Sequence, residues 1–219
     1  MQTTTMRQTA LTVPAAGVLL PGDLTVPEQA RGLVVFAHGS GSSRHSPRNR
    51  HVAEDLNRRK LATFLFDLLT AEEEEVDIRT RHLRFDIPLL AERLRLVTEW
   101  LQGYQHTAQL PIGLFGASTG AAAALIAAVH AKGVKAVVSR GGRPDLAGAA
   151  LPRVEPPVLL IVGGNDPLVI EMNRGALEQL GAHVKELRIV PGATHLFEEP
   201  GKLDEVARLA GDWFLKYLT

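Results

Sequence analysis

Ser118, Asp166 and His195 are the residues whose types and order offer covalent chemistry. Ser118 stands in Gly116-Ala117-Ser118-Thr119-Gly120, a G-x-S-x-G run. Such a run suits a strand that turns sharply into a helix with the serine at the tip. Glycines two positions either side let strand and helix approach without a Cβ clash. The hydroxyl is then exposed beside the N–H groups that open the helix. By itself the five-residue pattern is weak, since a Gly/Ser turn opening a helix reads the same way.

A serine hydroxyl is a poor nucleophile near neutral pH. It needs a histidine to take its proton during attack and return it to the leaving group. It also needs a carboxylate to orient the imidazole and stabilise its charged form. His195 follows the last strand-like run, in Pro191-Gly-Ala-Thr-His195, and Asp166 follows another, in Gly163-Gly-Asn-Asp166. The order serine, acid, histidine is that of one known triad arrangement. Asn165-Asp166-Pro167 is also good turn chemistry. Asp145, in Arg140-Gly-Gly-Arg-Pro-Asp145, competes with Asp166 for the acid role. An oxyanion hole would draw on the N–H of Thr119 and on a second N–H from the glycine-rich loop after Ala37, assigned here to Ser40.

These groups require a scaffold, and the hydrophobic pattern supplies one. Strand-like runs fall at Leu33–Ala37, Leu61–Phe66, Leu110–Ala117, Val134–Val138, Val158–Val162 and His183–Val190. Helical patterns lie between them. Ser46-Pro47 opens one, and Asp86 with Pro88 opens another whose Leu90, Leu94, Val97 and Leu101 share a face. Further helices are expected at Ala121–Ala131, around Val169–Leu180, and over a final stretch carrying Leu203, Val206, Ala210, Trp213 and Phe214. Strands alternating with helices give an α/β class with a mainly parallel sheet covered on both faces. Leu11–Leu20 and Leu24–Val26 are expected as antiparallel edge strands, with Pro21-Gly22-Asp23 between them as a turn. In such sheets the chemistry lies at the carboxyl ends of the strands. All three candidate residues fall there.

With 219 residues, 45% of them hydrophobic and 22% charged, the chain is expected to form one globular domain, residues 1–219. Lys+Arg and Asp+Glu are equal at 24 each, so net charge makes no case for nucleic acid or an anionic membrane. The absence of cysteine excludes disulfides, thiolate metal sites and a cysteine nucleophile, and is compatible with the cytoplasm. Arg7 and the apolar Ala10–Leu20 stretch faintly resemble a leader peptide, but Pro14 and Gly17 interrupt it, and a cytoplasmic protein is expected. No apolar run approaches the ~18 residues of a membrane span. No clustered metal ligands, phosphate loop or G-x-G-x-x-G are readable, so no metal or cofactor is expected.

The chain resembles the α/β-hydrolase superfamily over nearly its whole length, and within it the dienelactone-hydrolase-related group. The resemblance is carried by Val34–Asn49, Phe66–Thr70 with the following glutamates, Gly113–Gly120, Gly163–Asp166 and Gly192–His195. The group includes compact bacterial hydrolases sometimes fused to phosphoribosyltransferase domains. The resemblance implies a triad of Ser118, Asp166 and His195; no large cap is expected, because the longest non-core insertion, Leu68–Thr80, is too short for one. Dienelactone hydrolase itself uses a cysteine nucleophile, and this chain has serine. A general esterase acting on a small-molecule ester or lactone fits better than dienelactone as the substrate. A serine acyltransferase or thioesterase would use the same site, and a non-catalytic ligand- or partner-binding member is the remaining rival.

Around the site, Arg44, Arg48 and Arg143 read two ways, as surface ion pairs or as anchors for a substrate carboxylate or phosphate. The Glu72–Glu75 run reads as a solvated loop that borders the pocket, within a Leu68–Thr80 insertion. His38 reads as a structural hydrogen-bonding residue that orders the loop after it.

Overall fold

The computed structural model describes residues 6–218. Eight strands form one sheet: β1 (Met6–Ala15), β2 (Val18–Pro27), β3 (Leu33–Ala37), β4 (Ala62–Phe66), β5 (Ile112–Ala117), β6 (Val134–Arg140), β7 (Val158–Gly163) and β8 (Lys185–Val190). Their spatial order is β1-β2-β4-β3-β5-β6-β7-β8. The β1–β2 and β2–β4 pairings are antiparallel and the others parallel. The central strands β3, β4, β5 and β7 are buried along their whole length, as expected where helices cover both faces.

Among the described residues six α-helices accompany the strands: α1 (Pro47–Arg58), α2 (Ala71–Thr80), α3 (Ile87–Gly103), α4 (Thr119–His130), α5 (Pro167–Gln179) and, after the last strand, α6 (Lys202–Tyr217). One face of the sheet packs against α3 and α4 through Leu90, Leu94, Leu101 and Ala122–Leu125. The other packs against α1 and α6 through Val52, Leu56, Val206 and Phe214. Both expected helix starts are present. The Ser46 hydroxyl accepts the Asn49 N–H ahead of α1, and Asp86 accepts the Leu89 N–H ahead of α3. No separate cap domain is present among the described residues.

Two sequence readings are corrected. Pro21-Gly22-Asp23 lies inside β2, and the turn falls earlier, at Ala16-Gly17. Both turn residues have positive φ, 49° and 79°, which suits a tight hairpin. Gly22 is needed there for close approach, since a Cβ on it would lie 2.2 Å from the Phe64 ring. The second correction is Glu72–Glu75, which belongs to α2 and not to a loop. Thr70 and Glu73 form a reciprocal capping box, and three glutamates in the first turn complement the helix dipole.

Candidate active site

The elbow is present in its strained form. Ser118 has φ 50° and ψ −121°, between the end of β5 and the start of α4. A non-glycine residue held there costs about 1–3 kcal/mol, a strain that clusters at functional sites. The crossing is tight enough to explain the flanking glycines. A Cβ on Gly116 would lie 2.4 Å from Ala121 Cα, and one on Gly120 would lie 2.3 Å from the Ala37 carbonyl oxygen. The Ser118 N–H donates to the Arg140 carbonyl at 3.2 Å, and the Ser118 carbonyl accepts from Arg143 N–H at 3.0 Å. The elbow is therefore tied to the end of β6. The Ser118 hydroxyl does not cap its helix.

Asp166 and His195 meet. His195 Nδ1 lies 2.7 Å from Asp166 Oδ2, and the aspartate side chain is 17% exposed. The loops that carry them are interlocked. Gly164 N–H donates to the Val190 carbonyl and Asn165 N–H to the Ala193 carbonyl. The Glu199 carboxylate accepts the Thr194 N–H at 3.1 Å, fixing the turn before His195. The Thr194 side chain, followed by the Glu199 and Thr194 backbone N–H groups, holds the Glu199 carboxyl below its ordinary range. The imidazole also borders the end of β6, since His195 Cε1 lies 3.6 Å from where a Cβ on Gly141 would stand. Asp145 is taken elsewhere: its two oxygens bind Arg143 Nε and Nη2 at 2.9 and 2.8 Å.

The glycine-rich loop comes as close as expected. A Cβ on Gly39 would lie 3.0 Å from Ser118 Cβ. The expected free N–H of Ser40 is not found, because it donates to Thr119 Oγ1 at 2.9 Å. The physical reason is proximity. Thr119 opens α4 beside this loop, and its hydroxyl oxygen takes the amide. Thr119 is 4% exposed.

His38 has the bracing role expected of it. Nδ1 donates to the Gly39 carbonyl at 2.9 Å, and Nε2 accepts the Leu68 N–H at 3.0 Å. Burial pushes its pKa below the ordinary value. The Leu68 carbonyl in turn accepts from Arg93 Nη1, and Arg93 grips Glu73 through both nitrogens of its fork at 2.7 and 2.6 Å. The chain from Gly39 through His38 and Leu68 to Glu73 ties the loop to α2 and α3. Sequence reasoning did not single out Arg93, whose partners are distant along the chain.

All three expected arginines are ion-paired. Arg44 pairs with Asp67, Arg48 with Glu198 at 2.9 Å, and Arg143 with Asp145 at 2.8 Å. Arg44 and Arg48 line an open cavity of about 690 Å³ with His38, Thr70 and Glu74. Glu74 lines this cavity, but Ser118, Asp166 and His195 do not. Arg140, at the end of β6, was not expected. It is buried with an amide oxygen of Asn49 as its partner, at 3.2 Å. Its signal in the sequence was a cation two positions beyond the strand-like run Val134–Val138.

A family model described as Alpha/beta hydrolase domain matches residues 30–208. A solved dienelactone hydrolase from Anabaena variabilis is 59% identical, superposes with a TM-score of 0.95, and the match covers 98% of this chain and 99% of that one. A Mycobacterium tuberculosis protein provisionally named a phosphoribosyl transferase is 58% identical over 214 residues, 97% of this chain and 47% of the relative. The chain thus spans about half the length of the curated relatives it matches. A cold-adapted esterase from an Arctic intertidal metagenomic library shares the fold, with a TM-score of 0.75 at 16% identity over 95% of this chain and 94% of that one.

Proposed function

Because the chain belongs to the alpha/beta hydrolase domain family, we propose that it is a serine hydrolase cleaving a small carboxylic ester or lactone through an acyl-enzyme. One observation carries this reading. The hydrogen-bonded pair His195–Asp166 stands at the same sheet edge as the strained Ser118 elbow.

In the proposed reaction, Ser118 Oγ attacks the substrate carbonyl carbon while His195 Nε2 takes the hydroxyl proton. Asp166 holds the proton on Nδ1, which leaves Nε2 free to accept, and it stabilises the imidazolium as it forms. The Thr119 N–H faces the developing oxyanion. The intermediate collapses, the bond to the leaving oxygen breaks, and His195 returns the proton to that oxygen. Water, deprotonated by His195, then attacks the acyl carbon, the bond to Ser118 Oγ breaks, and His195 returns the proton to Oγ. Serine and histidine supply the nucleophile and the proton transfers, so the reaction needs no cofactor.

The same proposal takes residues 1–219 as one hydrolase unit working in the cytoplasm. Among the described residues no helix is long and apolar enough to cross a membrane. The transferase name of the Mycobacterium tuberculosis relative belongs to a chain of which this one matches less than half, and that activity is no part of the reading.

The test is a serine-directed fluorophosphonate probe. Expected is covalent labelling at Ser118, with Ser118→Ala abolishing both labelling and ester turnover. Folded native protein that resists the probe and turns over no ester would overturn the proposal. Competing alcohol, amine and thiol acceptors, with product analysis, separate hydrolysis from acyl transfer.

A further inference from the structure

The three arginines expected near the site each have a carboxylate partner, and Arg140 does not. It is 6% exposed, yet among the described residues its guanidinium makes one hydrogen bond, from Nη2 to the neutral amide oxygen of Asn49. Its Nε is buried with no acceptor. The charged neighbour that acts on it is a second cation, Arg48. Arg48 spends Nη1 on Glu198, and its own Nε is also buried without an acceptor. Burial and the Arg48 charge push the Arg140 pKa down to about 10, so it stays charged at neutral pH. A buried charge with no counter-charge is costly, and a bound anion relieves that cost.

Arg140 stands beside the elbow. It is the last residue of β6, paired in register with Ala117, and its carbonyl accepts the Ser118 N–H. Adjacent strands are about 4.8 Å apart, so its Cα is one strand spacing from the elbow. Its guanidinium reaches the first turn of α1, which carries Arg48 and Asn49 and contains no acid.

We propose that Arg140 and Arg48 form a subsite for an anionic group of the substrate, a carboxylate or phosphate carried a short chain away from the carbonyl that Ser118 attacks. This rests on the serine-hydrolase reading and narrows its substrate class. The planar fork of a guanidinium matches two oxygens of either group. The anion takes the orphaned edge of Arg140. Arg48 joins by giving up Glu198, whose side chain is 62% exposed and returns to water at little cost.

The test compares nitrophenyl esters of matched acyl length on the whole chain: the neutral butyrate, the hemisuccinate with a terminal carboxylate, and the 3-phosphonopropanoate. Native protein is expected to prefer at least one anionic ester in kcat/KM by about tenfold, as one charge-assisted contact allows. The stronger of the two identifies the group. In Arg140→Gln and Arg48→Gln the anionic-to-neutral ratio is expected to fall towards one, with partial recovery in Arg140→Lys. A native ratio of one or less for both anionic esters overturns the subsite, as does a ratio that both glutamine variants leave unaltered. Where Arg140→Gln fails to fold by circular dichroism, the ratio in Arg48→Gln decides. Fluorophosphonate labelling run alongside keeps the two failures apart. Labelled protein that cleaves butyrate without anionic preference loses only the subsite. Folded, unlabelled and inactive protein loses the serine-hydrolase reading itself.

Discussion

The Ser40 N–H donates to the Thr119 hydroxyl oxygen at 2.9 Å, joining the two residues from which oxyanion donors were expected. The contact crosses between the loop after β3 and the first residue of α4. It leaves Thr119 with its own hydroxyl proton unspent, beside its own N–H. If that hydroxyl joins the Thr119 N–H in facing the oxyanion, it is a further donor whose removal can be read in the rate.

Thr119→Val keeps the branched shape and removes the hydroxyl. Loss of one oxyanion donor costs about 10²–10³ in kcat. That fall is expected here, with KM little changed, and Thr119→Ser is expected to retain most activity. Steady-state kinetics on one neutral ester checks it. Undiminished or faster turnover in Thr119→Val would mean that the hydroxyl competes with the oxyanion for Ser40.

The acid was ambiguous between Asp166 and Asp145, and the two engage different partners. Asp166 meets His195, and Asp145 is held in a fork by Arg143. Asp166→Asn should lower kcat by about 10⁴, as in a triad left with the wrong histidine tautomer. Asp145→Asn should stay within a few-fold of native. Rate measurements on both variants decide the assignment, and the reverse ranking would move the acid to Asp145.

Much of this was legible because the signals are local. The runs Leu33–Ala37 and Val158–Val162 are apolar throughout, and buried parallel strands are expected to read that way. Ser46-Pro47 and Asp86 carry their cap chemistry within three residues. The capping box Thr70-x-x-Glu73 was local too, but the run of four glutamates obscured it. Pro21-Gly22-Asp23 misled because turn-forming residues here serve a strand, with Gly22 making room for Phe64. The Ser40–Thr119 bond spans 79 positions and Arg140–Asn49 spans 91. Such pairings are set by sheet order, so residue type and spacing do not announce them.

Arg93 is 2% exposed and holds two groups, the Glu73 carboxylate and the Leu68 carbonyl. Its fork is the leading cause holding the Glu73 carboxyl below its ordinary range. Arg93→Met removes one partner of a largely buried pair. Such breaks cost about 3–5 kcal/mol, and the lower end is expected because the Glu73 side chain is 24% exposed. Urea unfolding at neutral pH measures the loss. A change under 1 kcal/mol would show that α2 is not anchored through this pair.

His38 sets the last expectation, a dependence of stability on pH. Burial lowers its pKa below 6.5, with the Gly39 carbonyl acting in the opposite direction. The neutral ring is the form that the fold uses, because Nε2 must accept the Leu68 N–H. Near and below 6.5 the unfolded chain therefore binds the proton more readily than the folded one. This contribution is fully present above 6.5 and is lost as pH falls from there through the lower folded value. The urea midpoint is expected to drop between about pH 7 and pH 5. His38→Gln, which cannot titrate, should be less stable at neutral pH and show a shallower drop over that window. An equally steep drop in the variant would assign the pH dependence to other groups and leave the His38 brace without energetic weight.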